Sequence, residues 1–333
     1  MDLSSGVPGL LRVRNAPAAP APRGMISVMK VVIAGGSGAL GQRIAHDLLA
    51  RGDEVVVLGR SDRPARYGRH VRWDGATVGD WAGELAGAAL VNLCGALVDR
   101  RPTAAGIELL TRSRTGPTRA LARAAAAVGQ PLPVWLQMST LAIYGDAGEA
   151  VLDESAPPAQ DPPQMAGVAR AWEAAADGVP ARRQVVLRTG IVLDRGTPAL
   201  NRLTGLVRWG LGGRLGDGRA WISWLHITDL LAIVRRCLDD PDLAGVVHAT
   251  GPHPVRNAEL MATLRRAMHR PAALPTPVPL VRLGALLLRT DPALALTGRR
   301  CVPARLQEAG FRFSHPDLPG AVADLLGTRP GTR

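Results

Sequence analysis

Lysine is almost missing from this chain. Lys30 stands alone, and the other 39 of the 40 basic residues are arginine, which excludes any mechanism needing a lysine away from residue 30. Tyrosine is nearly as scarce, with Tyr67 and Tyr144 the only two among 333 residues. The three cysteines, Cys94, Cys237 and Cys301, are far apart, odd in number and without metal-ligand spacing. That excludes a disulfide framework and a zinc site, so the metal expectation is none, and buried thiols in a reducing, cytoplasmic setting are expected. No apolar run approaches the roughly 18–20 residues of a membrane helix, and stretches such as Leu283 to Leu288 are far too short. Acidic residues are outnumbered, leaving a formal charge of +12, yet the arginines are scattered and form no stripe, so no nucleic-acid surface is expected. What is present is ordinary for a globular protein: 47% apolar and 20% charged residues, too apolar for general disorder.

Residues 1–28 are rich in Pro and Ala and lack apolar periodicity, which predicts a disordered tail without the apolar stretch of a signal peptide. Folded sequence is expected from Met29, with Met25 or Met29 as alternative starts. From there, strand-like and helix-like segments alternate. Lys30–Ala34, Glu54–Leu58, His70–Trp73, Ala89–Leu93, Val134–Met138 and Gln184–Thr189 read as strands. Leu40–Arg51, Pro117–Val128 and Met165–Asp177 read as helices. Strand and helix at this pace predict an α/β fold, a doubly wound parallel sheet with helices on both faces. Residues 29–195 would carry the cofactor, with sheet contributions from later segments. The Gly- and Pro-rich residues 196–333 would form a smaller substrate-side region over the carboxyl ends of the strands.

The strongest local signal is Ala34-Gly35-Gly36-Ser37-Gly38-Ala39-Leu40-Gly41, directly after a strand and opening a helix. Glycines let the backbone turn tightly and approach a pyrophosphate, which the free N–H groups of a helix start favour. Both Gly36-x-Gly38-x-x-Gly41 and Gly35-x-x-Gly38-x-x-Gly41 fit, so spacing leaves the subtype open. At the end of the second strand an acidic residue would bind the ribose hydroxyls of NAD and repel a 2′-phosphate. Here Arg60 and Ser61 stand instead, with Arg63 close behind, a set suited to the phosphate of NADP(H).

Further motifs carry a resemblance. Asn92-Leu93-Cys94-Gly95-Ala96 follows the fourth strand and Ser139-Thr140-Leu141-Ala142-Ile143-Tyr144-Gly145 the fifth. With the glycine loop, they make the chain similar to an extended short-chain dehydrogenase/reductase. Ala171-Trp172-Glu173, the run from Arg188 to Leu193, Gly210-Leu211-Gly212-Gly213, the run from Ser223 to Leu230, and Val302-Pro303-Ala304-Arg305-Leu306 narrow this. They resemble one atypical branch, the YfcH-like epimerase family with a short C-terminal domain, over roughly residues 29–327. The resemblance implies a Rossmann-type fold that binds NADP(H), with Asn92, Leu93, Cys94, Gly95, Met138 and Arg188 near the cofactor beside the glycine loop. It implies no particular substrate. Ala220 stands where the family usually places a glutamine, which weakens one substrate-side contact.

In extended short-chain reductases a Ser or Thr orients the substrate oxygen, a Tyr transfers the proton, and a Lys one helical turn later lowers the Tyr pKa. The resemblance puts these roles at Thr140, Met165 and Ala169, with Glu173 supporting the register. Neither Met165 nor Ala169 can move a proton, so the usual dyad is absent. A general acid contributes about 10²–10⁴-fold in rate, which leaves Thr140 with Tyr144 or His226 as the expected catalytic set. Trp209, Trp221 and Trp224 are expected to wall the cleft or fill its core. The reading is an NADP(H)-dependent oxidoreductase, monomeric or homodimeric, acting on a small molecule. The alternative is an NADPH-holding regulatory module, with a link to cell division.

Overall fold

Strand and helix alternate through residues 28–327, which are those the computed structural model describes; the expected tail, apart from Val28, lies outside them. β1 (Lys30–Ala34), α1 (Ala39–Arg51), β2 (Glu54–Gly59), β3 (Arg69–Arg72) and β4 (Ala89–Asn92) lead into a long α2 (Ala104–Ala127). β5 (Trp135–Thr140), the short β6 (Val151–Leu152), α3 (Val168–Ala174), β7 (Gln184–Thr189) and β8 (Ile191–Leu193) follow. Then come α4 (Pro198–Arg208), β9 (Trp221–Ile222), β10 (Trp224–His226), α5 (Ile227–Asp239), β11 (Gly245–Ala249), β12 (Val255–Arg256) and α6 (Asn257–Ala267). The last elements are α7 (Val278–Leu287), α8 (Ala293–Leu296), β13 (Arg300–Cys301), α9 (Ala304–Glu308) and α10 (Leu318–Leu326).

Seven strands form one parallel sheet in the order β11-β7-β5-β4-β1-β2-β3. The edge strand β3 (RHVR) stays partly exposed, while the inner strands β1, β2, β4 and β5 are buried on both faces, β1 and β2 as nearly continuous apolar β-branched runs. Period-2 alternation divides them: Val31, Ile33, Val55 and Val57 pack with Ile44 and Leu48 of α1 and Ile233 of α5. Val32, Ala34, Val56 and Leu58 pack with Leu121 and Ala124 of α2. The chain winds outward in both directions from β1 and β4, and that reversal opens a crevice at their carboxyl ends. The Rossmann-type architecture predicted above is what the chain adopts.

Two helices differ from expectation. α2 starts at Ala104, well before Pro117, because the Thr103 side chain accepts a hydrogen bond from Gly106 N (3.1 Å) and caps the helix there. Pro117 sits inside it and has no N–H to donate to the carbonyl one turn earlier. The helix expected from Met165 opens instead with a π-type turn, Pro163–Gly167, before α3. β11, from beyond residue 195, pairs with β7 and extends the sheet. A separate apolar cluster joins α4, α6 and α10 through Leu200, Val207, Leu260, Leu264, Leu318 and Val322. Among the described residues no helix is long and apolar enough to cross a membrane.

Candidate functional site

The glycine loop fills the crevice between β1 and α1, and three of its glycines have separate steric reasons. Gly35 has φ +81°, a left-handed conformation, and a side chain there would meet the Leu93 backbone at 3.0 Å. A Cβ on Gly36 would meet Val57 at 2.8 Å, and one on Gly41 would meet Gly36 Cα at 2.5 Å. Gly38 caps α1 without a side-chain hydrogen bond, and a Cβ there would touch only the Gly35 carbonyl, at 3.4 Å. The spacing left two motifs open; the backbone shows that Gly35 and Gly36 are both required. The first intrahelical bond is from Gln42 N to Gly38 O (2.9 Å), so the amides of Ala39, Leu40 and Gly41 lack helical acceptors. Ser37, Gly38 and Ala39 are exposed, and no acidic residue lies in the first turn. This cradle of free amides fits the pyrophosphate of a dinucleotide.

Beside the cradle, Asn92 is fully buried: its Nδ2 donates to Thr118 Oγ1 (2.8 Å) and Gln137 Oε1 (2.9 Å), and its Oδ1 accepts from Cys94 N (3.2 Å). Its side chain therefore braces the Leu93–Gly95 backbone and offers no atom to a ligand. Cys94 is also buried, its thiol pushed up to about 12 by desolvation. All three cysteines are buried and unpaired. Arg60 and Ser61 lie exposed beyond β2, where no carboxylate of the described residues pairs with Arg60; the nearby Asp62 is held by Arg72 (2.7 Å). Ser61 Oγ accepts from Arg63 N (3.1 Å).

Arg188 and Tyr144 take a different part from the one expected. Arg188 lies buried on β7 and makes a fork to Glu173 (Nε to Oε1 2.9 Å, Nη2 to Oε2 2.8 Å), while its Nη1 donates to Tyr144 Oη (2.7 Å). Ser139 Oγ donates to the same Glu173 carboxylate (2.5 Å). Burial opposes the Arg188 charge, and Glu173 more than offsets it, so the guanidinium stays above its ordinary pKa. The Arg188 guanidinium is thus committed to a structural ion pair with Glu173. Tyr144 Oη donates to His248 Nε2 (2.7 Å), since His248 Nδ1 faces the Val302 carbonyl (2.9 Å) and carries the ring proton. Burial pushes the Tyr144 phenol up to about 12, and the residue points into this network, away from the substrate side.

His248 makes that network sensitive to acid. Burial pushes its imidazole down to about 4, against about 6.5 in the unfolded chain. The native state then binds fewer protons between those values. Stability from neutral His248 is complete above about pH 6.5 and falls by about 1.4 kcal/mol per pH unit, on average, until about pH 4. Denaturant unfolding followed from about pH 7.5 down to about pH 4.5 should show this slope. His248→Gln should reduce it by close to one proton, and an unchanged slope would rule out His248 as the titrating group.

At the carboxyl ends of β5 and β7 an apolar cavity opens, lined by Val98, Thr140, Leu141, Met165, Ile191, Trp221, Ile222, Ser223, Leu294 and Arg299 among others. Thr140 is the one member of the expected catalytic set on its wall; its Oγ1 accepts from Ala142 N (3.2 Å). Met165 faces the same cavity from the π-type turn, in the place where the resemblance puts a tyrosine. Met138 is buried behind, its sulfur accepting from Thr189 Oγ1 (2.9 Å). Trp221 walls the cavity, Trp224 is buried in the core and Trp209, 84% exposed, does neither. Arg299 and Ser223 were not singled out from sequence. Arg299 belongs to an arginine-rich chain and carries no spacing signal, although Ser223 opens the Trp-flanked segment.

His226 is elsewhere. It is 2% exposed and caps α5, its Nδ1 accepting from Thr228 N (3.1 Å). With Nδ1 as acceptor, Nε2 carries the proton and lies 3.2 Å from Asp324 Oδ2, and the ring stacks on His315 at 3.8 Å. His226 is therefore a capping residue and not a proton donor to the cavity; burial holds its pKa below the ordinary value. Although His226, His315 and Asp324 gather ligand atoms within 4.8 Å, the protonated Nε2 has no lone pair for a cation.

Comparison with known proteins agrees with this geometry. Residues 31–166 match the NAD dependent epimerase/dehydratase family, and residues 276–325 match a domain of unknown function, DUF1731. The chain is 34% identical to the epimerase family protein SDR39U1 of Bos taurus over 306 residues, 90% of this chain and all of the relative. The crystal structure of the human epimerase family protein SDR39U1, solved with NADPH, superposes with a TM-score of 0.79 at 31% identity, covering 90% of this chain and 99% of that one. A nucleoside-diphosphate sugar epimerase from Corynebacterium glutamicum superposes with a TM-score of 0.72 at 30% identity, over 90% of this chain and 59% of that longer chain.

Proposed function

The chain belongs to the epimerase family of atypical short-chain dehydrogenase/reductases and is an NAD(P)-binding protein, and from that premise we propose that it is an NADP(H)-dependent oxidoreductase whose substrate enters the cavity beside Thr140. The observation that carries this is the alignment of three features along one sheet edge: the amide cradle at α1, unpaired Arg60 at the end of β2, and the cavity at the ends of β5 and β7. The relative solved with NADPH supports the cofactor choice.

In this reading the amides of residues 39–41 hold the pyrophosphate and Arg60 with Ser61 holds the 2′-phosphate. Bound NADPH supplies a hydride from its nicotinamide. Thr140 Oγ1 positions the substrate oxygen, and the Leu141, Ile191 and Ile222 side chains provide apolar walls for the substrate body. Arg299 is the one ionisable side chain on the cavity wall among the described residues, and an arginine does not release its proton near neutral pH. The proton that follows the hydride is then delivered by solvent at the mouth. Epimerisation through a Tyr-Lys pair does not fit Met165 and Ala169. A second reading, a protein that holds NADPH without turnover, is favoured by that same lack of a proton donor.

NADPH is expected to bind about 10- to 100-fold more tightly than NADH, and Arg60→Ala to erase most of the difference, measured by fluorescence or calorimetric titration. Equal affinities would refute the cofactor assignment. A screen of small carbonyl and enone compounds for NADPH oxidation, repeated with Thr140→Val, separates the two readings. Turnover that falls in Thr140→Val supports the oxidoreductase, and none across a broad panel despite tight NADPH binding supports the holding module.

A further inference from the structure

The cavity holds a charge that no carboxylate of the described residues pairs with. Arg299 reaches it from the backbone just before β13, where Arg299 N donates to Trp221 O (3.1 Å) and Ser223 Oγ donates to Arg299 O (2.9 Å). Its main chain is thus fixed, but its guanidinium is not matched. Among the described residues its side-chain hydrogen bonding amounts to one long contact, Nη2 to Thr297 Oγ1 at 3.4 Å, and no carboxylate lies within 4.0 Å. Burial holds its pKa below the ordinary arginine value. Several other arginines are answered by carboxylates, Arg43 by Asp194 (2.6 Å), Arg51 by Asp53 and Asp239 (both 2.7 Å) and Arg188 by Glu173 (2.8 Å), and the part-buried Arg183 by the backbone carbonyls of Cys237, Leu238 and Leu243.

The groups facing Arg299 sharpen the contrast. Asp146, which acts on Arg299 only through space, is exposed, and its Oδ1 accepts from Gly298 N (3.1 Å). Glu149 is claimed by Arg256 (2.5 Å), Arg219 (3.6 Å) and the Trp221 indole N–H (3.1 Å). Arg256 and Arg300 both lie over the Trp221 ring, at 3.9 and 4.6 Å. The groups gathered at Trp221 are therefore net positive, Arg219, Arg256 and Arg300 against Glu149, and the cavity wall carries one guanidinium without a carboxylate partner. A half-buried cation in such surroundings is unfavourable unless a partner completes it, and a planar guanidinium is best completed by a carboxylate accepting two parallel bonds.

We propose that Arg299 is the anion anchor of this cavity and that the substrate is a small compound joining an apolar body to a carboxylate, with its reacting oxygen toward Thr140. This rests on the cavity being the substrate site, as argued above. One fork in apolar walls suits a single carboxylate on a hydrocarbon frame.

The test uses the full chain and two probes of the same shape, cinnamate and cinnamamide, titrated by calorimetry or ligand-observed NMR with and without NADPH. Cinnamate is expected to bind about 10- to 100-fold more tightly than the amide, as a charge-assisted pair should. Arg299→Met should abolish that preference, and Arg299→Lys should keep part of it. No preference in the unaltered protein overturns the proposal without recourse to any variant, and so does a preference that survives Arg299→Met. Tighter binding of UDP than of cinnamate, lost in Arg299→Met, overturns the carboxylate class in favour of a diphosphate. If NADPH fails to bind while the Arg299-dependent preference persists, the cofactor reading falls and the anion anchor stands; the reverse pattern removes the anchor alone.

Discussion

Arg188→Met is expected to destabilise the protein by about 3–5 kcal/mol, read as a fall in the midpoint of denaturant unfolding. The side chain it removes makes three charge-assisted or polar contacts in a place with almost no water: two to Glu173 and one to Tyr144. Methionine fills much of the same volume, so packing loss is a small part of the effect. The larger part is the Glu173 carboxylate, left with the Ser139 hydroxyl as its one remaining side-chain donor. An unpaired buried charge is far more harmful than a missing pair. Arg188→Met combined with Glu173→Leu should therefore lose less than the two single changes together, with a coupling of about 1–3 kcal/mol. A single-variant loss under about 1 kcal/mol would show that solvent reaches Glu173 and that the network is not a structural one.

The same network shows why part of the site was not legible in the sequence. The sheet was, because a strand buried on both faces must be a run of apolar β-branched residues and a glycine loop after such a run has one steric use. β1, α1, β2 and β7 therefore lie within a residue or so of where periodicity puts them. Thr140 was also legible, since its position follows from the strand end. Tyr144, four residues on, was not, because its direction is set by His248, 104 residues away, and by Arg188 on a neighbouring strand. His226 looked like a proton donor for the same reason: one-dimensional proximity to tryptophans says nothing of which ring nitrogen caps a helix. Arg299 was hidden by composition. In a chain with 39 arginines, what sets Arg299 apart is its place on the cavity wall without a carboxylate within 4.0 Å, and such a placement exists only in three dimensions.

Two neighbouring glycines should separate packing from ligand binding in the cradle. A Cβ on Gly41 would lie 2.5 Å from Gly36 Cα and 2.8 Å from Gly35 O, both backbone atoms of the loop that no rotamer change can move aside. Gly41→Ala must push α1 away from the loop, an overpacking strain of about 1–3 kcal/mol. The amides of residues 39–41 move with the helix, and displacements near 1 Å are enough to forfeit about 10²-fold in a pre-organised site. Its NADPH dissociation constant is expected to rise by about that factor. Gly38 differs because its Cβ would touch only one carbonyl oxygen, at 3.4 Å, and otherwise point into the open cradle. Gly38→Ala gives up a favourable helix-capping residue and should reduce stability by less than about 1 kcal/mol, while its methyl group occupies the space a pyrophosphate needs. The expected pattern is a loss of NADPH binding in both variants, with a lowered unfolding midpoint in Gly41→Ala and a nearly unchanged one in Gly38→Ala. NADPH binding retained in Gly38→Ala would place the pyrophosphate away from this helix start, whatever the stability of the two variants.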